Sequence, residues 1–103
     1  MLITTTEKIT GKECEPMGIV RGSTVQTVNA IRDIGAGLKT LVGGELTKYY
    51  EMMDNARRIA TERMMADAQA VGADAVVGVR YTTSSIMQGA AEVLAYGTAV
   101  RFL

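Results

Sequence analysis

A single thiol stands in the stretch Glu13-Cys14-Glu15-Pro16-Met17. Thiolate, thioether and carboxylate donors at such close spacing suit a soft metal ion. Glu13, Cys14, Glu15 and Met17 are therefore the candidate metal ligands. Classical zinc sites take several Cys or His at set spacings, and the chain has one Cys and no His. One subunit supplies too few donors, so such a site would require copies to pool theirs around a symmetry axis. The plainer reading, a charged loop with an incidental thiol, ranks above it. Met52, Met53, Met64 and Met65 could also attract copper(I) or an adaptable partner, but at helical spacing beside Ala and Ile they read first as core.

Other chemistry has less to stand on. A serine or cysteine nucleophile needs an adjacent base. Without His that base would be Lys or a carboxylate, and Ser84 and Ser85 have neither nearby in sequence. No catalytic residue is assigned, and the chain does not read as an enzyme. The run "GAGLKTLVGG" fails the phosphate-loop pattern, in which the glycines follow a strand and Lys-Ser or Lys-Thr opens a helix; here the pattern around Lys39-Thr40 is already helical. Arg80 and Glu92 each interrupt an otherwise apolar strand. They could pair across strands or between subunits, line a central opening, or hold an anionic ligand, with the salt bridge ranked first. With Tyr81 and Tyr96 they are the candidate ligand or subunit-interface residues.

The bulk numbers narrow the class. A chain of 103 residues makes one domain, taken here as 1–103. A domain this size hides only about two-thirds of its unfolded surface, so oligomerisation is a natural way to enlarge the core. Eleven Lys plus Arg balance eleven Asp plus Glu, and no basic run is visible. That argues against a nucleic-acid clamp, which needs a basic footprint. Five aromatic residues, Tyr49, Tyr50, Tyr81, Tyr96 and Phe102, are few for base stacking. No apolar run approaches the ~20 residues of a membrane span, and the start carries no basic-then-apolar leader. A lone cysteine excludes an internal disulfide framework, and a cytoplasmic setting is expected.

The elements that must position these residues follow from patterning. Leu2 to Thr6 reads as a short strand, and Glu7 to Pro16 as a turn or hairpin tip. Met17 to about Val25 is a second strand, in which Gly22 suggests a bulge or bend. A helix entry follows, with Thr27 or Asn29 as N-cap. Ile31, Ile34, Leu38, Leu41 and Val42 mark a first helix, ended by Gly43 and Gly44. Glu45 to Gly72 is a long second helix. Its buried stripe runs through Tyr49, Met53, Ala56, Ala60, Met64, Ala68 and Val71, widened by Met52, Ile59, Arg63, Ala66 and Ala70. Asp54 with Arg58 and Arg63 with Asp67 are opposite charges four apart, and Gly72 is the expected stop. Ala75 to Thr83 is a strand, Ser84 to Ala90 a polar turn, and Ala91 to Leu103 a final strand. Both faces of the last two strands are mostly apolar or small. A sheet with helices on one side and water on the other would alternate. These strands do not, so one face takes the helices and the other is expected to meet a neighbouring copy, with Gly78 marking close packing.

The residues "NAIRD" and "VGG", then "ARRIA" (Ala56 to Ala60), "GADAVVGV" (Gly72 to Val79) and "YGTAV" (Tyr96 to Val100), resemble the YbjQ-like family in order and spacing over nearly the whole chain. The resemblance implies an α+β, two-layer, dodecin-like subunit: a small antiparallel sheet with two consecutive helices on one face. It also implies a ring-shaped homo-oligomer, a homopentamer in which sheets of neighbouring subunits meet. The family carries the label "putative heavy-metal-binding domain" without an established mechanism. The expected function is thus a small-ligand or metal-ion binding module acting as a ring, the alternative being a structural or protein-interaction ring with no metal or enzymatic role. No cofactor is expected beyond a metal ion, and neither nucleic acid nor membrane is an expected partner.

Overall fold

The computed structural model of the protein describes residues 1–26, 44–87 and 90–103. The expected first helix, its N-cap at Thr27 or Asn29, and Gly43 lie outside the described residues.

Four strands make one sheet: β1 (Leu2–Ile3), β2 (Cys14–Gln26), β3 (Ala75–Met87) and β4 (Ala90–Phe102). They are ordered β1-β3-β4-β2. A helix, α1 (Gly44–Ala70), connects β2's side of the chain to β3 and lies on one face. The class is α+β, but the sheet is mixed rather than antiparallel. β1 runs parallel to β3, through Leu2 opposite Ala75 and Ile3 opposite Val76, while β2 and β3 both run antiparallel to β4.

The helix buries one narrow row. Ala56, Ala60, Met64 and Ala68, spaced by four, are fully buried. The stripe expected from the sequence is wider: Val71 is half exposed and Ala66 and Ala70 are exposed. The reason is the small residue on each side of the contact. A Cβ on Gly22 would stand 2.2 Å from the Met64 backbone N and 2.3 Å from the Ala60 carbonyl oxygen. Helix and strand backbones therefore nearly touch along this row, and residues to either side ride up toward solvent. Gly22 pairs in register with Ala95, so it marks close approach, not the expected bulge. Under α1 the sheet contributes Val20, Val76, Val79, Val93, Ala95 and Ala99.

The helix ends as its sequence implies. Gly72 has φ +78°, its N–H donates to the Gln69 carbonyl at 3.0 Å, and the Ala73 N–H reaches the Ala68 carbonyl at 3.1 Å. This is the Schellman arrangement, which satisfies the last helical carbonyls through a left-handed residue that glycine adopts without a Cβ penalty. At the other end Gly44 begins α1, where a terminator of the preceding helix was expected.

Several expected boundaries shift. β2 starts at Cys14 and runs through Pro16. Proline is tolerated there because β2 is an edge strand and its register slips between Pro16 and Gly18. β3 continues through Ser84, Ser85, Ile86 and Met87, residues expected to turn. Their pairing with β4 outweighs their polarity. The expected helical charge pairs also re-sort: Asp54 pairs with Arg57 and Arg58 with Glu62.

The second face of the sheet is divided. Near β1, Ala75, Val77 and Val100 are buried under the chain's own Ile9, Cys14 and Phe102. A neighbouring copy is not needed to cover this part of Gly72–Thr83, contrary to expectation. Further along, Ile19 is 80% exposed, Val25 and Tyr96 are exposed, and Leu94 is half-buried. Gly78 has φ +62° and no atom within 4 Å of a built Cβ. It serves the register shift between Val77 and Arg80 by taking a left-handed backbone, rather than packing closely. Close packing belongs to Gly97, whose Cβ would meet Val76 Cγ1 at 2.8 Å and the Val77 carbonyl at 3.0 Å.

Candidate functional site

Cys14 opens β2 and lies opposite Phe102. Its free thiol is half-buried beside Ala75, Val77 and Val100. Two adjoining depressions share Cys14 and Glu7. One is bounded also by Lys8, Ile9, Lys12, Glu13 and Leu103. The other, of about 420 Å³, is bounded by Pro16, Val77, Gly78, Arg80, Thr98 and Val100. The segment Glu7–Glu13 thus folds back beside the thiol. Lys12 N–H donates to the Ile9 carbonyl at 3.2 Å, and Leu103 N–H to the Glu13 carbonyl at 2.9 Å. The Lys12 ammonium sits 5.0 Å from the Phe102 ring centroid.

The four candidate metal ligands are not drawn into one cluster. Successive strand residues point to opposite faces. Cys14 joins the apolar cluster with Phe102, while the Glu15 carboxylate accepts from Arg101 Nη2. Met17 is 39% exposed, at the register shift of β2. Glu13 shares a depression with Cys14 and Glu7, yet among the described residues no three His, Cys, Asp or Glu side chains come together as a metal-holding group. Among the described residues, the donors of one chain do not assemble a heavy-metal site. Of the helical methionines Met64 is fully buried and Met53 packs partly buried against the core, while Met52 and Met65 are half-buried.

Arg80 and Glu92 do not pair with each other within the chain. Arg80 is opposite Tyr96 and Glu92 opposite Ser84, four residues apart along β4, about 13 Å at the usual strand rise. Arg80 Nη1 instead donates to the Thr5 carbonyl at 3.0 Å and the Val79 carbonyl at 2.9 Å, pinning the N-terminal segment to β3. Tyr81 points toward the helix and its hydroxyl lies 2.7 Å from Thr61 Oγ1. Tyr96 stands on the other face, between Arg21 of β2 and Arg80 of β3. The candidate interface residues are thus split across both faces.

Sequence reasoning missed two roles. Glu7, Lys8 and Lys12 border the thiol, although a solvated hairpin tip gave no sign of where that tip would fold. Arg63 and Asp67 do not form the expected pair. Asp67 Oδ2 accepts from the Arg21 N–H at 3.1 Å, and Arg63 Nη1 donates to the Ser23 carbonyl at 2.6 Å. Both reach down from α1 to cap the outer edge of β2. Their i,i+4 spacing was visible in the sequence; the strand edge beneath them was not.

The whole chain, residues 1–103, matches a family model described as "Putative heavy-metal-binding", the YbjQ family. The chain belongs to this family. It is 57% identical to a UPF0145 protein of Clostridium novyi over the full length of both, and 54% identical to one of Alkaliphilus metalliredigens, again over both full lengths. A Thermotoga maritima relative is 55% identical, covering 98% of this chain and 96% of that one. Among solved structures, a protein of unknown function from Pediococcus pentosaceus, assigned to the DUF74 family, superposes with a TM-score of 0.71 at 18% identity. It covers 100% of this chain and 98% of its own, which supports the fold. No helix among the described residues is long and apolar enough to cross a membrane.

Proposed function

We propose that the chain acts as a ring of identical subunits, a homopentamer, that binds a heavy-metal ion or small ligand at boundaries between copies. The observation that carries this reading is the family match over the entire chain, with its heavy-metal description. Because one subunit gathers no donor group of three among the described residues, the donors have to be pooled. Cys14, half-buried at the mouth of two depressions, is the residue on which pooling would turn, with Glu7 and Glu13 beside it. A single free thiol suits a reducing, cytoplasmic setting.

The missing donor group also supports a second reading, an interaction ring without metal. Calorimetric titration of tag-free protein separates the two. The metal reading expects stoichiometric uptake of copper(I), zinc or nickel that Cys14→Ser abolishes. No stoichiometric uptake, with Cys14→Ser indistinguishable from wild type, refutes it. Light scattering tests the ring itself: a pentamer is expected at micromolar concentration, and a stable monomer overturns it.

A further inference from the structure

The two edges of the sheet are treated differently. At the β2 edge, the Arg21 N–H and the Ser23 carbonyl are occupied by Asp67 and Arg63. Charged side chains brought over an edge are a known means of blocking strand addition. At the other edge β1 covers little, because it is two residues long and β3 is thirteen. The segment after β1 extends that cover: the Gly78 N–H donates to the Thr6 carbonyl at 2.8 Å and the Val79 N–H to the Thr4 carbonyl at 3.0 Å. Cover stops there. In an antiparallel strand alternate residues direct their N–H and C=O to opposite sides. Since Val79 faces the β1 side, Tyr81, Thr83 and Ser85 do so too. Their outward backbone groups have no partner among the described residues, and their side chains are exposed.

The register shifts of β3 fall on either side of this stretch, between Val77 and Arg80 and between Ser85 and Met87, so the open edge from Tyr81 to Ser85 lacks the bulge that would twist it away. From Tyr81 to Met87 the strand reads YTTSSIM, with no charge and no proline, so it combines β-favouring residues with nothing to repel an incoming strand.

We propose that the β3 edge from Tyr81 to Ser85 pairs antiparallel with the same edge of a second copy, about a twofold axis at Thr83. Neutrality selects this occupant. A twofold contact places each residue against its own kind or its mirror position, so any charge at its centre would repel itself. Here Thr83 meets Thr83 of the partner subunit and Tyr81 meets Ser85 of the partner subunit, with no like charges opposed. The covered stretch at Gly78 and Val79 limits the pairing to the residues beyond it. The β2 edge is a poorer mate, since its centre is already capped. This contact goes beyond the ring reading: a twofold contact cannot close within a ring of five, so it joins copies of two different rings, and light scattering is then expected to show ten copies where the ring alone would show five.

The test uses the full chain in a Cys14→Ser background, so that Thr83→Cys carries the sole thiol. A short bis-maleimide is expected to give a covalent dimer in high yield at micromolar protein, while Glu62→Cys, at an exposed helix position, gives none. In parallel, hydrogen exchange at single-residue resolution on wild type is expected to show Tyr81, Thr83 and Ser85 amides slowed at least tenfold on going from dilute to assembled protein. Free exchange of these amides in protein that light scattering shows to be assembled overturns the edge contact and leaves the ring standing. Protected amides without the crosslink overturn the twofold pairing in favour of another strand at this edge. Protein that stays monomeric removes both.

Discussion

Replacing Gly22 by alanine asks how closely α1 and β2 depend on one missing side chain. The new Cβ would lie 2.2 Å from Met64 N, 2.3 Å from the Ala60 carbonyl oxygen and 2.6 Å from Arg63 C. All three are backbone atoms of a continuous helix, so no rotamer change relieves the clash. Ordinary contacts of this kind are about 3.5 Å, and the helix has to retreat by roughly 1 Å. A gap of that size forfeits about a quarter to a half of the dispersion well for each atom pair it opens. The row Ala56, Ala60, Met64 and Ala68 lies along this contact, and alanines have no long side chain with which to refill the gap. Overpacking alone costs about 1–3 kcal/mol, and loosening the row adds to it. A loss of about 3 kcal/mol or more is expected, with a fall in Tm of at least about 12 °C for a domain of this size. Urea unfolding followed by circular dichroism measures it, at one fixed protomer concentration because association would couple to stability. Gly11→Ala is the control: its φ is +79° but nothing lies within 4 Å, so it carries only the left-handed penalty of about 1–2 kcal/mol. If Gly22→Ala costs no more than Gly11→Ala, the close-approach argument is wrong.

Met64→Ala should cost about 2–5 kcal/mol by opening a cavity at a fully buried position, whereas Met64→Leu should cost under about 1.5 kcal/mol; equal losses by denaturant titration would contradict the packing. Removing the exposed Glu15–Arg101 pair with Glu15→Ala should change stability by less than about 1 kcal/mol, and a larger loss in the same assay would mean that the pair anchors the start of β2.

The long helix and its stop were legible because both are local. Ala56, Ala60, Met64 and Ala68 recur at helical spacing, and Gly72 supplies the left-handed residue that ends the helix. Strand ends were less legible. Ser84 to Met87 look like a turn by composition, yet Thr82 to Ser85 lie opposite Leu94 to Ala91 in a regular ladder, and pairing is a property of two segments, not one. The site was harder still. Alternation along β2 separates Cys14 from Glu15, and the arginine that takes the Glu15 carboxylate is 86 residues away.

By itself, then, the sequence determined the family, through motifs that resemble it along nearly the whole chain and imply the α+β class, and the helical seam, since periodicity reports what a segment can bury. Tertiary structure decided the rest. It set Gly22 against a helix backbone and gave Gly78 a positive φ rather than a tight contact. It packed Ile9 against part of the sheet's second face, beside Cys14, and it turned Arg63 and Asp67 from a helical pair into caps on a strand edge. Each of these depends on which distant backbone comes within a few ångströms, and spacing along one chain carries no measure of that distance.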